Sequence, residues 1–467
     1  MEGEIGSINA VILYTIRLLH LIINGIIHNN NKSIFINSAR TKIVQIVQNT
    51  RLSLNTLESA VCLMDFGSHS NQNFTVICNY RGSLDIDLLE RAVAHVADIH
   101  PLLSVTLDNS NGNYEFIKAI YAVPITLIKY VGGTQSEDVS WRDLKESFDI
   151  EGFPLWKVSF LKGIDEGLLL VTFHHAIADG ICGMNLLDHL FQILSDLYNE
   201  KEPRKIEFDS FFPPLESLYS LSRQELKPLD DVKAIPRIPY KYTTGFVNLH
   251  LDERTTSNIL AWTKTQGIKV NATLFGALLL SIRNVMNPDF EDFKALTVVN
   301  FRPFFNPPVS NHLMRLLGIA FPTLLSVKLG DDFKELAKKI HNDIHSQLAQ
   351  GQHVFQLKRM SQYLSTNPSP EDKWRDDLQT GNTVTLTNIG IIEFTGDYKD
   401  SPFKIEELTF TANVQPFFDN RHNLVLAALC FKGRLNLSLW RLQELVSKSE
   451  AQAILFEMER ILTEDFV

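Results

Sequence analysis

Two adjacent histidines, His174 and His175, followed by Asp179 and Gly180 in the heptapeptide HHAIADG, are the side chains of this chain best arranged for chemistry. The residues before them, Leu168 to Phe173 (LLLVTF), have the composition of a buried strand, so the two imidazoles fall at its end and point to opposite faces. Only one of them can face a given cavity. A neutral imidazole with a pKa near ~6.5 can take a proton from an attacking hydroxyl or amine at working pH, and His175 is assigned that role. Asp179 lies four residues on, at the turn into a helix, where a carboxylate steadies a loop by pairing with a cation. Gly180 lets substrate pass close to the backbone and gives the loop dihedrals closed to other residues. A purely structural reading is also open, in which two histidines end a core strand and Asp179 caps the next helix. A metal site is not expected, because neighbouring strand residues diverge and cannot both reach one ion.

The elements that must hold these residues follow from periodicity. Asp87 to Ile99 carries Leu88, Leu89, Ala92, Val93 and Val96 on one helical face, and the helix after Gly180 carries Met184, Leu187, Phe191 and Leu194. Helices therefore pack on a sheet. Residues 203–239 hold six of the eighteen prolines, which excludes long helices and marks 203–245 as a linker between lobes at 51–202 and 246–467. In the second half, Asn271 to Ile282 reads as a buried helix, and Asp331 to Gln350 places Phe333, Leu336, Ile340, Ile344 and Leu348 at helical spacing. Leu424 to Phe431 and Arg434 to Trp440 alternate like paired strands around Lys432-Gly433. A final helix starts at Ser447, with Glu450 completing a capping box.

Residues 1–50 form an N-terminal extension. From Ile8 to Ile27 it is apolar, with Asn9, Arg17, His20 and Asn24 in one narrow arc of a helix. Arg17 would lie near the centre of a bilayer at a cost of ~2.5 kcal/mol or more, and Glu2 and Glu4 precede it, so a spanning helix and a secretory signal are disfavoured. Membrane-surface association through residues 8–27 and docking on the protein's own core both stay open.

At 467 residues, with 45% hydrophobic and 21% charged side chains, the chain can bury a large core. Lys plus Arg number 44 against 54 Asp plus Glu, a net charge of −10, which argues against nucleic acid as a partner. Cys62, Cys78, Cys182 and Cys430 lack metal spacing, and three lie in apolar runs that favour a buried reduced thiol, consistent with a cytoplasmic, reducing compartment. Cys182, just past the motif, reads as a small core residue. No G-x-S-x-G elbow, G-x-x-x-x-G-K-[ST] loop, G-x-G-x-x-G turn or H-E-x-x-H helix occurs, so triad hydrolase, nucleotide, dinucleotide and zinc-protease readings lack a foothold.

HHxxxDG at His174 to Gly180 resembles the signature of the chloramphenicol-acetyltransferase-like acyltransferases, which include condensation domains, polyketide-associated acyltransferases and alcohol acetyltransferases. Further stretches agree in order: Arg51-Leu52-Ser53 with Glu58, Gly82-Ser83-Leu84-Asp85, His100-Pro101-Leu102-Leu103, Phe153-Pro154-Leu155-Trp156, Asn300-Phe301-Arg302-Pro303 and Thr387-Asn388-Ile389-Gly390. The D-F-G-W-G segment of the plant branch is missing. The resemblance implies an α/β fold of two-layer α+β type, with two alike lobes forming a pseudo-dimer around a tunnel. It also implies a thioester donor, acyl-CoA or an acyl carrier protein's phosphopantetheine, with no permanently bound cofactor, and an alcohol acceptor. His175 would be the general base and His174 a support behind the site. Arg302 is nominated as the cation for Asp179, tying the lobes together, and Asn388 as an oxyanion or substrate contact, although an Asn before Gly also forms turns. The expected activity is transfer of an acyl group to a hydroxyl by a monomer; a free-standing amide-forming condensation enzyme and a catalytically silent member of the fold are the alternatives.

Overall fold

A computed structural model describes residues 51–68, 71–110, 113–148, 152–203, 212–225, 243–287, 289–367, 383–394, 398, 400–414 and 423–464. The extension 1–50, with its apolar stretch 8–27, and most of the Pro-rich segment lie outside them. The elements of the first half are β1 (Leu52–Ser53), α1 (Thr56–Ser68), β2 (Asn73–Gly82), α2 (Ile86–Ile99), β3 (Val105–Asp108), β4 (Glu115–Lys118), β5 (Ile125–Lys129), α3 (Gln135–Lys145), β6 (Trp156–Lys162), β7 (Glu166–His174) and α4 (Gly180–Tyr198). Those of the second are β8 (Thr244–Leu251), α5 (Glu253–Thr265), α6 (Val270–Met286), β9 (Asp292–Asn300), β10 (Gly318–Ser326), α7 (Phe333–Ala349), α8 (Gln352–Ser365), β11 (Thr383–Ile392), β12 (Phe403–Ala412), β13 (Leu424–Phe431), β14 (Arg434–Leu442) and α9 (Lys448–Glu464).

Local chemistry accounts for many of the boundaries. Asp85 accepts from the amides of Asp87 and Leu88 and so starts α2. Ser447 and Glu450 exchange hydrogen bonds of 2.9 and 3.2 Å at the start of α9, the reciprocal capping box that the sequence spells. Lys432 (φ 51°) and Gly433 (φ 72°) turn β13 into β14, with the two positive φ angles of a type I′ hairpin.

Two main sheets follow, one per lobe. The five-stranded sheet has the order β12-β2-β7-β6-β5 and the six-stranded sheet β10-β9-β11-β13-β14-β8. α2 and α4 pack on each other over the first, around a core that includes Leu89, Val93, Leu187 and Phe191. α6, α7 and α9 cover the second around Leu278, Ile340 and Met458. The fold is thus mixed α/β with two lobes, and β7 is the central strand of the first sheet. Every residue from Gly167 to His174 on β7 is buried, as a strand paired on both edges and covered on its faces must be.

Two departures from the sequence reading stand out. β12 belongs by chain order to the second half, yet it pairs antiparallel with β2 from Ala412↔Phe74 to Phe403↔Gly82. Hydropathy does not record which sheet a strand joins. In the Pro-rich segment, residues 215–221 form a short 3-10 helix whose Leu215 and Leu218 are buried with Leu57, Phe301 and Leu357. Part of that segment therefore fills a third, smaller core. Among the described residues no single helix is long and apolar enough to cross a membrane.

Candidate active site

β7 carries the two histidines to its C-terminal end. His174 is the last strand residue, opposite Asn73, and fully buried. Its Nδ1 accepts from the Ala176 amide at 3.1 Å, which makes Nε2 the protonated nitrogen, 2.7 Å from Asp65 Oδ2. His174 thus pins the backbone that leads away from the strand, and Asp65 of α1 pins His174. The sequence reading missed Asp65. Its signal was a carboxylate in the middle of the apolar run Val61–Phe66, where an acid must find a partner.

His175 sits just past the strand end. Its amide donates to Gln72 O at 2.8 Å, and its Nδ1 donates to Ala178 O at 3.2 Å. With the proton fixed on Nδ1, Nε2 keeps its lone pair. The ring packs against Phe74 with centroids 4.6 Å apart. The residue stays partly exposed, but burial of its imidazole draws the pKa down from 6.5 to about 4, against the Ala178 carbonyl and the Asp179 charge, which pull it up. The ring is therefore neutral at physiological pH.

Asp179 begins α4. Its Oδ1 accepts from the Cys182 amide at 3.1 Å, while Cys182 Sγ faces the Asp179 amide at 3.2 Å. Its Oδ2 takes Arg302 Nη1 at 2.6 Å and the Leu317 amide at 3.0 Å. Burial pushes this carboxyl up, yet the Arg302 charge and the hydrogen bonds from Arg302, Cys182 and Leu317 win, and it titrates below its ordinary value. Arg302 is 1% exposed and spends its other nitrogens on the carbonyls of Ser310 (3.2 Å), Leu313 (3.0 Å) and Arg315 (3.1 Å). The nominated pair is formed, and with the Leu317 amide it joins the two halves of the chain directly behind the His175 turn.

One expectation changes. Gly180 does not adopt a left-handed φ. A Cβ there would lie 2.5 Å from Ile389 Cδ1 and 3.1 Å from the Phe410 ring, so glycine gives room to the side chains that β11 and β12 press onto the start of α4. Asn388 uses Oδ1 on the Gly390 amide (2.9 Å) and Nδ2 on Asn271 Oδ1 (2.7 Å), across the bulge between Asn388 and Gly390 in β11. These bonds take one of the two Nδ2 hydrogens and hold the bulge that sets Ile389 against Gly180. Cys182 is buried, and burial together with Asp179 raises its thiol to about 12, which removes it as a nucleophile.

A second tie between the halves involves Glu58 of α1. Its Oε2 takes the Asn55 amide at 2.8 Å and Arg315 Nη1 at 2.7 Å. Burial still lifts its carboxyl from 4.5 to about 7, with Arg315 opposing.

Two lobes of this topology, with a strand-end histidine pair fastened across them by a buried Asp–Arg contact, define a chloramphenicol-acetyltransferase-like domain. In sequence, its two halves are similar to the condensation and acyltransferase branch of that superfamily, each match covering less than half of the chain. Residues 61–216 match the condensation domain family, and residues 242–439 match the family described as phthiocerol/phthiodiolone dimycocerosyl transferase C-terminus. The phthiocerol/phthiodiolone dimycocerosyl transferase of Mycobacterium leprae is 23% identical over 312 residues, spanning 61% of this chain and 73% of that protein. Polyketide synthase PksN of Bacillus subtilis is 25% identical over 141 residues, 29% of this chain. The matched stretch is only 2% of that synthase. Among solved structures, polyketide synthase associated protein 5 from Mycobacterium tuberculosis superposes with a TM-score of 0.62 at 16% identity, covering 89% of this chain and 98% of its own. Trichothecene 15-O-acetyltransferase from Fusarium sporotrichioides gives 0.60 at 13% identity, with 88% and 95% covered. At these identities the structural likeness establishes the fold.

Proposed function

We propose that this protein is an O-acyltransferase that moves an acyl group from a thioester, acyl-CoA or a phosphopantetheine-bound acyl chain, to an alcohol. The observation that carries the reading is the tautomer of His175. Nδ1–H is committed to Ala178 O at 3.2 Å, and the ring is kept neutral, so Nε2 is ready to accept a proton. In the proposed step the hydroxyl oxygen attacks the thioester carbonyl carbon as its proton passes to Nε2. The tetrahedral intermediate collapses, the C–S bond breaks, and Nε2 returns the proton to the leaving sulfur. No bond to the protein forms. Helix geometry leaves the first amides of α4, Gly180 and Ile181, without intrahelical acceptors, and these are the proposed stabilisers of the oxyanion. Asp179, Arg302 and His174 are assigned to holding the loop. Donor and acceptor are proposed to reach His175 from opposite ends of a passage between the lobes.

The mycobacterial relative and the Fusarium neighbour are both named as transferases, which supports this class. Condensation to an amide is the second reading, favoured by the family match over residues 61–216. The test is thiol release from acyl-CoA with an alcohol series and an amine series. Alcohol-dependent release supports ester formation and amine-dependent release supports the second reading; no release from either acyl-CoA or an acyl carrier protein refutes both. His175→Ala should lose about 100-fold or more of the rate, as expected for a general base.

A further inference from the structure

A cavity of about 670 Å³ opens among α1, β4, the 215–221 helix and the end of α8, and no residue of the His174–Gly180 loop lines it. Its volume falls within the roughly 300–1,000 Å³ of small-molecule sites. Side-chain amides and hydroxyls make up much of its wall, namely Ser59, Asn109, Asn113, Ser361 and Asn367. Each of these groups can both donate and accept, which is what a hydroxyl needs and a phosphate does not. Asn109 Oδ1 is buried without a hydrogen-bond partner among the described residues, and such an orphaned acceptor is unfavourable until an O–H or N–H reaches it.

The charges select further. Among the described residues Arg315 is the one cation lining the cavity, and Glu58 already holds it at 2.7 Å while its guanidinium lies 5.0 Å from the centre of the Phe212 ring. Glu115 and Glu216 also face the cavity, so a phosphate or carboxylate meets net repulsion. Leu63, Pro214 and Leu364 supply an apolar side.

We propose that this cavity binds a neutral, polyhydroxylated amphiphile, with its hydroxyls on the Asn and Ser wall and its hydrocarbon on the leucines. The binding goes beyond the acyl-transfer reading, since it needs neither a thioester nor His175. Calorimetric titration of the full-length protein with octyl β-glucoside below its micelle concentration tests it, with octyl phosphate and octylamine as competitors of opposite charge. Saturable one-to-one binding of the glucoside is expected, at least tenfold tighter than either charged probe. It should weaken at least tenfold in both Ser59→Trp and Asn113→Leu and stay unchanged in His175→Ala, with circular dichroism melts confirming that each variant is folded. Absence of saturable binding, equal binding of a charged probe, retained binding in folded Ser59→Trp and Asn113→Leu, or loss in His175→Ala would each overturn the proposal. Alcohol-dependent thiol release alongside absent glucoside binding would remove this site and leave the transferase reading standing.

Discussion

Arg302→Ala should convert the contact behind the His175 turn from a buried, ion-paired tie between the lobes into a pH-dependent weakness. The arginine contributes a 2.6 Å bond to Asp179 and bonds of 3.0–3.2 Å to three carbonyls. Truncation leaves Asp179 buried with only the Cys182 and Leu317 amides. Deleting one partner of a buried ion pair costs about 3–5 kcal/mol, against a typical domain stability of about 5–15 kcal/mol, so the variant should fold but sit near its limit. The loss has a pH signature. In the parent, Asp179 titrates below 3.8, so its contribution is complete above the unfolded value and fades as pH falls through the lowered one. Without Arg302, burial, the largest influence on this carboxyl, is opposed only by the Cys182 and Leu317 amides and raises the folded value above the unfolded one, so the variant weakens as pH climbs from about 4 toward neutrality. The difference between the two proteins therefore widens with rising pH. Asp179→Asn in the Arg302→Ala background should return about 1–3 kcal/mol by removing the stranded charge. Urea unfolding of the parent, both single variants and the double variant at pH 4.5 and 7.5 measures this. Additive single effects with no pH dependence would refute the account.

Other consequences are more local. Gly180→Ala drives a methyl against Ile389 and Phe410 and should cost about 1–3 kcal/mol, part of it recovered by Ile389→Ala; equal melting temperatures for the single and double variants would contradict this. Asp65→Ala leaves the His174 Nε2–H without its 2.7 Å partner and should cost about 1–3 kcal/mol. It should also lower kcat more than KM, whereas an unchanged kcat would show that His174 does not steady the loop. The rate should hold level from neutral pH down toward about 4 and decline only as His175 protonates there. A decline centred near 6.5 in the pH profile of kcat/KM would show that burial does not set the base.

The sequence reveals the site better than its surroundings, for physical reasons. The heptapeptide marked the strand end at which His174 lies and His175 follows, and Arg302 could be proposed because a buried carboxylate demands a cation. Helices α2, α4, α7 and α9 follow from caps and periodicity, since these signals are local. Three features were not legible. Which sheet β12 joins depends on pairing across more than 300 residues of chain. The partner of His174 lies 109 residues away in α1, and no spacing rule reaches that far. The reason for Gly180 was misplaced because a glycine required by packing and one required by a dihedral look the same in a sequence.

The exchange of β12 into the first sheet decides how this protein could be recombined. A fragment ending anywhere in 203–245 would expose the unsatisfied amides and carbonyls of β2, from Phe74 to Gly82, as an open edge ready to pair with other molecules. A hybrid built by exchanging C-terminal halves with a relative must therefore import a strand matched to β2 in both sequence and register. The portable unit is one lobe plus its borrowed edge, and any breakpoint chosen at the proline-rich segment divides it.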